Sequence, residues 1–283
     1  MSTISIRDIQ GTTLNSPLAD TKVTTHGVVT AILRKGFYIQ TPNTEWDGKS
    51  SDAIFVFGDS DKISLGNWVQ IGGEVIDYCK HDNAKPVTQI RLRTFYLIEE
   101  TGPKIQSIPL NETLLNKPQE QLVNTLNSLE GMLVTIPAGA RFSAPSNNFG
   151  DYVCGLPFHY DCEQFIATNE GGLIPRATYQ EAWLPGFRVR DYRDTIAVNV
   201  GDTLTCDITG PLHFRADSWQ VAGNQSFKIK SNSISITETT LTPSGNTISV
   251  LTLNCFNLDR HIEREHKVCL LYTSDAADEA KWG

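Results

Sequence analysis

No apolar run in this chain of 283 residues approaches the roughly 18 residues that a bilayer-spanning helix requires, so no membrane span is expected. The N-terminus, MSTISIRDIQG, has no basic segment followed by an apolar one, and no signal peptide is visible. On this reading either the chain is cytoplasmic or Met1 is not the natural start. Basic residues are also scarce: 24 Lys and Arg face 32 Asp and Glu, a net charge of −8. That balance argues against a protein that coats nucleic acid through bulk electrostatics. It leaves room for a metal cleft, where carboxylates hold cations and the cations present positive charge to a phosphate. Among six cysteines no pair has the CxxC spacing of a zinc or redox site. Cys154 and Cys162 flank the loop GLPFHYD and are disulfide candidates, while the plainer reading is a set of small buried hydrophobes.

The segment 269–283, CLLYTSDAADEAKWG, continues no pattern that precedes it. It resembles the conceptual translation of a sequencing-library adapter, so it is set aside from fold reasoning as an expression scar would be. Without it 23 basic residues face 29 acidic ones, a net charge of −6, and five cysteines remain. The natural chain would then run on past Val268.

What is present is mostly β-pattern. TKVTTHGVVTAIL (21–33), FYIQT (37–41), AIFVF (53–57), WVQIGGEVIDY (68–78) and VTQIRLRTFYLIEE (87–100) are short runs rich in β-branched and aromatic residues. Gly72 and Gly73 inside the fourth run predict a bulge that turns a barrel corner. Five such strands within about 100 residues predict a Greek-key barrel of the OB type. A helix is predicted over Gln119–Leu129, with Leu122, Val123, Leu126 and Leu129 at helical spacing and Gly131 just past its end.

Residues 132–239 read as a second β-rich, OB-like unit, with strands in DYVCGL, in TIAVNVGDTLTCDITGPLHF (195–214), in SWQVAG and in FKIKSNSISITET. The phrase VGDTLTCDITGPLHF has the same shape as LGNWVQIGGEVIDY, a weak internal repeat. Asn169–Arg193, punctuated by Gly and Pro, predicts an extended surface loop. The expected organisation is a barrel over 1–100, a helical connector over 101–131, a second barrel over 132–239 and a linker over 240–247. A further domain would start at 248–268, ahead of the tail at 269–283.

Ile248–Leu258, ISVLTLNCFNL, resembles the first strand of the endonuclease/exonuclease/phosphatase superfamily, which ends in a comparable Asn-containing phrase. IRDIQG, VTTHGVVTAI, GFYIQTP, SSDAIFVF and VTQI are similar, in order over 6–95, to the N-terminal OB region of bacterial extracellular nucleases of that superfamily, with a looser likeness over about 129–230. The resemblance implies a mainly β front end of two OB-like Greek-key barrels, followed by the first strand of an incomplete α/β sandwich nuclease domain. It implies an extracellular or surface phosphodiester hydrolase that uses Mg²⁺ or another divalent cation and acts on DNA or another nucleic acid. Asn254 takes the place of the Asn that stands beside the catalytic metal, with Leu253 where an aromatic is usual, and Asn257 matches the second Asn.

The superfamily's metal-binding Glu, catalytic Asp and Asn and terminal His all lie downstream of that strand, so none carries over. This stretch by itself is expected to be inactive and to hold no cofactor. The runner-up is a non-catalytic module that binds nucleic acid or another polymer. OB barrels bind strands by stacking bases on aromatics beside cations. Phe37, Tyr38, Trp46, Phe55 and Phe57 are candidates for that stacking, with Arg34, Lys35, Arg91 and Arg93 nearby. Arg188, Arg190, Tyr192 and Arg193 form the densest basic and aromatic cluster and are the expected phosphate contacts.

Overall fold

The structure is a computed structural model that describes residues 3–42, 45–82, 84–146, 150–176, 183–188, 196–215, 218–222 and 226–232. The chain divides into Met1–Ile234 and Ser235–Gly283. The second unit, with Ile248–Leu258 and Asn254 in it, lies outside the described residues.

The protein is mainly β. Helix α1 (Ile6–Gln10) is capped by Ser5, whose side chain accepts from Asp8 N–H, and it buries Ile6 and Ile9. Then come β1 (Lys22–Leu33), β2 (Gly36–Gln40), β3 (Ala53–Phe57), β4 (Trp68–Tyr78) and β5 (Val87–Glu99). They close into a barrel in the order β1-β2-β3-β5-β4. Every pairing is antiparallel except β3 with β5, the strand order of an OB barrel. Val23, Val29, Phe37, Ile39, Ile54, Val56, Val69, Ile71, Val75 and Ile90 fill its interior. The register of β4 on β5 shifts between Gly72 and Gly73. A Cβ on Gly73 would lie 2.2 Å from Arg91 O, so only glycine lets the strands approach at that bulge.

The connector holds β6 (Ile108–Pro109), α2 (Glu112–Leu115) and α3 (Gln119–Ser128). Leu122, Leu126 and Leu129 are buried, as their spacing predicts. After it come β7 (Leu133–Ile136), β8 (Arg141–Phe142), β9 (Asp151–Gly155), a 3-10 turn at Pro157–Tyr160, β10 (Phe165–Ala167), β11 (Leu173–Pro175) and β12 (Gly186–Arg188). The last strands are β13 (Thr203–Leu204), β14 (Ile208–Arg215), β15 (Ser218–Ala222) and β16 (Ile229–Lys230). Strands β10 and β11 form a separate hairpin, and the others make a nine-stranded sheet in the order β16-β13-β8-β9-β12-β15-β14-β7-β6.

This sheet is a second barrel on the plan of the first. Strands β7 and β8 are halves of one bent strand, and β13 and β14 are halves of another. The halves pair on both sides of the bend: Ile136 opposite Ile208 and Arg141 opposite Thr203. Between them Gly139 N–H donates to Leu204 O (2.8 Å) and Leu204 N–H to Ala140 O (2.8 Å). With each bent strand counted once, the ring reads β7/β8, β9, β12, β15, β13/β14 and back to β7/β8. Its single parallel pair, β12 with β15, stands where β3 and β5 stand in the first. Phe142, Tyr152, Phe187, Leu204, Leu212 and Val221 line its core.

The two phrases with the same shape build the same corner. Gly66 (φ 86°) and Gly201 (φ 82°) each enter the fourth strand of their barrel. Gly66 N–H donates to Val29 O (2.9 Å), and Val29 N–H donates to Asn67 O (2.8 Å). Gly201 N–H donates to Phe142 O (2.8 Å), and Phe142 N–H donates to Asp202 O (2.8 Å). Asn67 Oδ1 accepts from Ser64 N–H (2.7 Å) as Asp202 Oδ2 accepts from Asn199 N–H (2.9 Å).

Two expectations are corrected. The span 169–193 is not one surface loop: Leu173–Pro175 is a hairpin arm, and Gly186–Arg188 is a central barrel strand whose Phe187 is buried. Cys154 and Cys162 are free thiols. Along β9 the side chains alternate, with Tyr152 and Cys154 inward and Val153 out, so Cys154 is sealed in the core and burial pushes its thiol pKa up. Cys162 Sγ lies on His159 O instead.

Candidate functional site

On β2 and β3 of the first barrel, the strands that carry ligands in OB barrels, Tyr38 and Phe55 turn toward His213 of the second barrel, while Phe37 fills the first barrel's own interior and Phe57 is exposed. Phe37 and Tyr38 are buried. Tyr38 Oη shares a 2.5 Å hydrogen bond with His213 Nδ1 on β14, and the His213 ring lies 6.4 Å from that of Phe55. Gly131 (φ 77°) passes so close that a Cβ would sit 3.0 Å from the Tyr38 ring, which explains a glycine there better than helix capping does. Trp46 Nε1–H donates to Ser128 O (3.1 Å), Ser51 Oγ to Glu130 O (2.6 Å), and Leu133 N–H to Gln40 Oε1 (2.9 Å). Tyr38, Phe55 and Trp46 therefore serve the seam between barrels rather than stacking. Arg91 and Arg93 both lie on Glu74, at 3.7 and 3.9 Å.

The seam also buries charge. Glu130, with 5% of its side chain exposed, meets Lys85 Nζ at 2.5 Å and accepts from Thr88 N–H (3.0 Å). Lys85 Nζ lies over the rings of Trp219 (4.6 Å) and Phe214 (5.2 Å), contacts that partly replace its lost hydration. Burial raises the Glu130 pKa against the pull of Lys85, and burial and then the charge of Glu130 raise that of Tyr38. Burial and then Arg188 push His213 down to about 4.

Of the residues expected to contact phosphate, only Arg188 is described; Arg190, Tyr192 and Arg193 lie outside the described residues, as does Asn254. Arg188 sits on β12 with Nε 3.6 Å from Asp151 Oδ1 and 29% of its side chain exposed, so its charge already has a partner. Its neighbour Phe187 turns inward and stacks on Tyr152 at 4.9 Å.

A cleft of about 250 Å³ opens elsewhere on the second barrel, lined by Arg141, Asn169, Glu170, Gly171, Gly201, Thr203, Lys230, Ser231 and Asn232. Register creates it. Thr203 pairs with Arg141 on one side and with Lys230 on the other, and directly opposed residues on neighbouring strands share a face. Phe142 and Leu204, one residue on, are wholly buried, which turns Arg141, Thr203 and Lys230 outward. Tyr160 steadies one wall: its ring lies 5.1 Å under the Arg141 guanidinium and its hydroxyl donates to Gly171 O (2.9 Å). Burial raises the Tyr160 pKa to about 12, so it keeps that proton. Asp202 ties the floor together by accepting from Asn232 N–H (2.7 Å) as well as from Asn199.

Sequence reasoning missed this cleft. Its cations lie 89 positions apart, and no local motif announces them. Among the described residues no three His, Cys, Asp or Glu side chains come together as a metal site, and no helix is long and apolar enough to cross a membrane.

Residues 98–233 match a domain of unknown function (DUF8508). The match begins at the end of β5 and closes just beyond β16, so it takes in the connector and the second barrel. No curated protein matches the chain.

Proposed function

We propose that the chain is the front part of a secreted or surface nuclease that hydrolyses phosphodiester bonds, and that its two barrels bind the nucleic-acid substrate and position it for a domain that starts near Ile248. One observation carries the reading most directly. Two barrels of OB strand order are joined through a hydrogen-bonded, partly charged seam, and in sequence a nuclease-like first strand follows them. A seam of that kind makes a firm platform, and positioning is what an in-line displacement needs from a non-catalytic domain.

The division of labour follows from the side chains. The first barrel spends its β2–β3 face on the seam, so substrate binding falls to the second barrel. The divalent cation implied by the resemblance would polarise phosphate and activate water. The described residues do not fit it, since no three His, Cys, Asp or Glu side chains assemble among them. What these residues supply is charge and shape for an extended anionic strand.

The test uses the full chain of 283 residues with a labelled single-stranded oligothymidylate, read by fluorescence anisotropy at 50 and 200 mM salt. Binding that weakens with salt, without cleavage of plasmid DNA when Mg²⁺ is added, is the expected result. Loss of any salt-dependent binding removes the substrate-holding role. Mg²⁺-dependent cleavage by this chain would place chemistry within it and overturn the division of labour.

A further inference from the structure

We infer that the cleft over Thr203 is an anion site that takes a phosphate group, held between Arg141 and Lys230. The inference deepens the reading above and rests on it for the source of the phosphate. The cleft lies on the side of the second barrel formed by its first and fourth strands, away from the β9–β12 face on which OB barrels usually carry ligands.

Three observations converge. First, Arg141, Thr203 and Lys230 lie side by side across β8, β13 and β16. Opposed Cβ atoms are about 5 Å apart, so the two cations stand about 10 Å apart at their roots. That separation suits two long side chains that lean together over one anion, with the Thr203 hydroxyl beneath as a donor. Second, neither cation has a carboxylate within ion-pair distance among the described residues, in a chain whose net charge is −8. Among the described residues, then, no ion pair competes with a ligand for either charge, and the neighbour of Arg141 is the Tyr160 ring. Third, the walls are built tight: a Cβ on Gly171 would lie 2.8 Å from Gly201 Cα, and one on Gly201 would lie 2.1 Å from Glu170 O. Close packing of these loops on the barrel holds the cleft's shape without a ligand.

The lining also carries a selectivity element. Glu170 faces a cleft with two cations, which leaves one net positive charge. A singly charged phosphodiester matches that balance, and the carboxylate disfavours a second anion beside it. Asn169 in the lining offers its amide to a sugar or base that extends from the phosphate, while Asn232 Nδ2–H donates to Glu170 O (3.1 Å) and braces the wall.

The proposal is tested on the full chain with Arg141→Gln and Lys230→Gln, with the exposed Lys62→Gln of the first barrel as a control that removes the same charge elsewhere. Oligothymidylate anisotropy is measured across salt concentrations, and amide spectra confirm that each variant is folded. Each cleft variant should bind about 5–10-fold more weakly and lower the salt slope by about 0.7, the loss of one phosphate contact on a single strand, while Lys62→Gln changes little. If the wild type binds the strand and the cleft variants bind like the control, the cleft is overturned and the substrate-holding role stands. If the wild type does not bind the strand, that role falls and the cleft is read with inorganic phosphate by amide chemical shifts. Shifts at Thr203 that vanish in Arg141→Gln keep a free-phosphate site, and no shift in the cleft overturns it.

Discussion

His213 and His159 show what burial does to a single side chain here. His213 hydrogen-bonds Tyr38 at the seam, and His159 Nδ1 accepts from Leu156 N–H (3.0 Å) beside the rings of Phe158 and Phe165. Burial lowers both from an ordinary value of 6.5 to about 4. The unfolded chain therefore binds more protons than the folded one between pH 6.5 and about 4, and stability rises with pH across that window. The contribution is complete above pH 6.5 and is lost as pH falls toward 4, on the order of 3 kcal/mol for each ring. Glu130 works in the opposite sense, because its raised pKa favours the fold below its ordinary value and that contribution is lost as pH rises. Thermal melts from pH 7 to 4 should show a steep loss that His213→Gln flattens by about half. A melting temperature independent of pH in that range would show that neither histidine is held neutral by the fold.

At the scale of elements, glycine geometry separates two corners that share one backbone plan. Gly66 and Gly201 both have positive φ, yet a Cβ on Gly66 meets nothing within 4 Å while one on Gly201 runs into Glu170 O and Asn232 Nδ2. Gly66→Ala should cost about 1 kcal/mol, the conformational strain alone. Gly201→Ala should cost about 3 kcal/mol or more, since backbone must move as well. Denaturant midpoints of the two variants measure the difference, and equal losses would mean that the Gly171–Gly201 approach adds nothing. The same contrast explains what was legible in the sequence. The first barrel's strands run up to 13 residues with visible alternation, so their positions and the Gly72–Gly73 bulge could be read directly. The second barrel is built from pieces of two to eight residues, too short for a period-two pattern to emerge. Two of its strands are bent in the middle, and its third strand lies inside a Gly- and Pro-rich stretch that imitates a loop. What survived there was the corner phrase, because an Asx residue after a left-handed glycine leaves a local mark. The cleft left none: Arg141 and Lys230 are neighbours only through register, and register is a property of the closed barrel.

For the whole molecule, the consequence of the seam is shared stability between the barrels. Ala53 of the first barrel packs in the core of the second, with Trp46 against it, and Glu130 at the end of the connector is neutralised by Lys85 of the first barrel. A pair of barrels joined only by a flexible connector would unfold in two independent steps. Here the loss of either barrel strands a buried carboxylate, a tyrosine hydroxyl and several backbone groups, which couples the two transitions. Scanning calorimetry at pH 7 should therefore give one cooperative transition for Met1–Ile234. Lys85→Met keeps the stem that lies over Trp219 and Phe214 but leaves Glu130 buried without its cation, a loss of about 3 kcal/mol. Since the loss falls on the seam and not on either core, it should resolve the single transition into two and raise the pH at which Glu130 takes up a proton. Lys85→Met with Glu130→Gln, which removes the stranded charge, should bring the transitions back together. Two transitions in the wild-type protein, or one unchanged transition in Lys85→Met, would show instead that the barrels are energetically separate, and the platform on which substrate positioning rests would be lost.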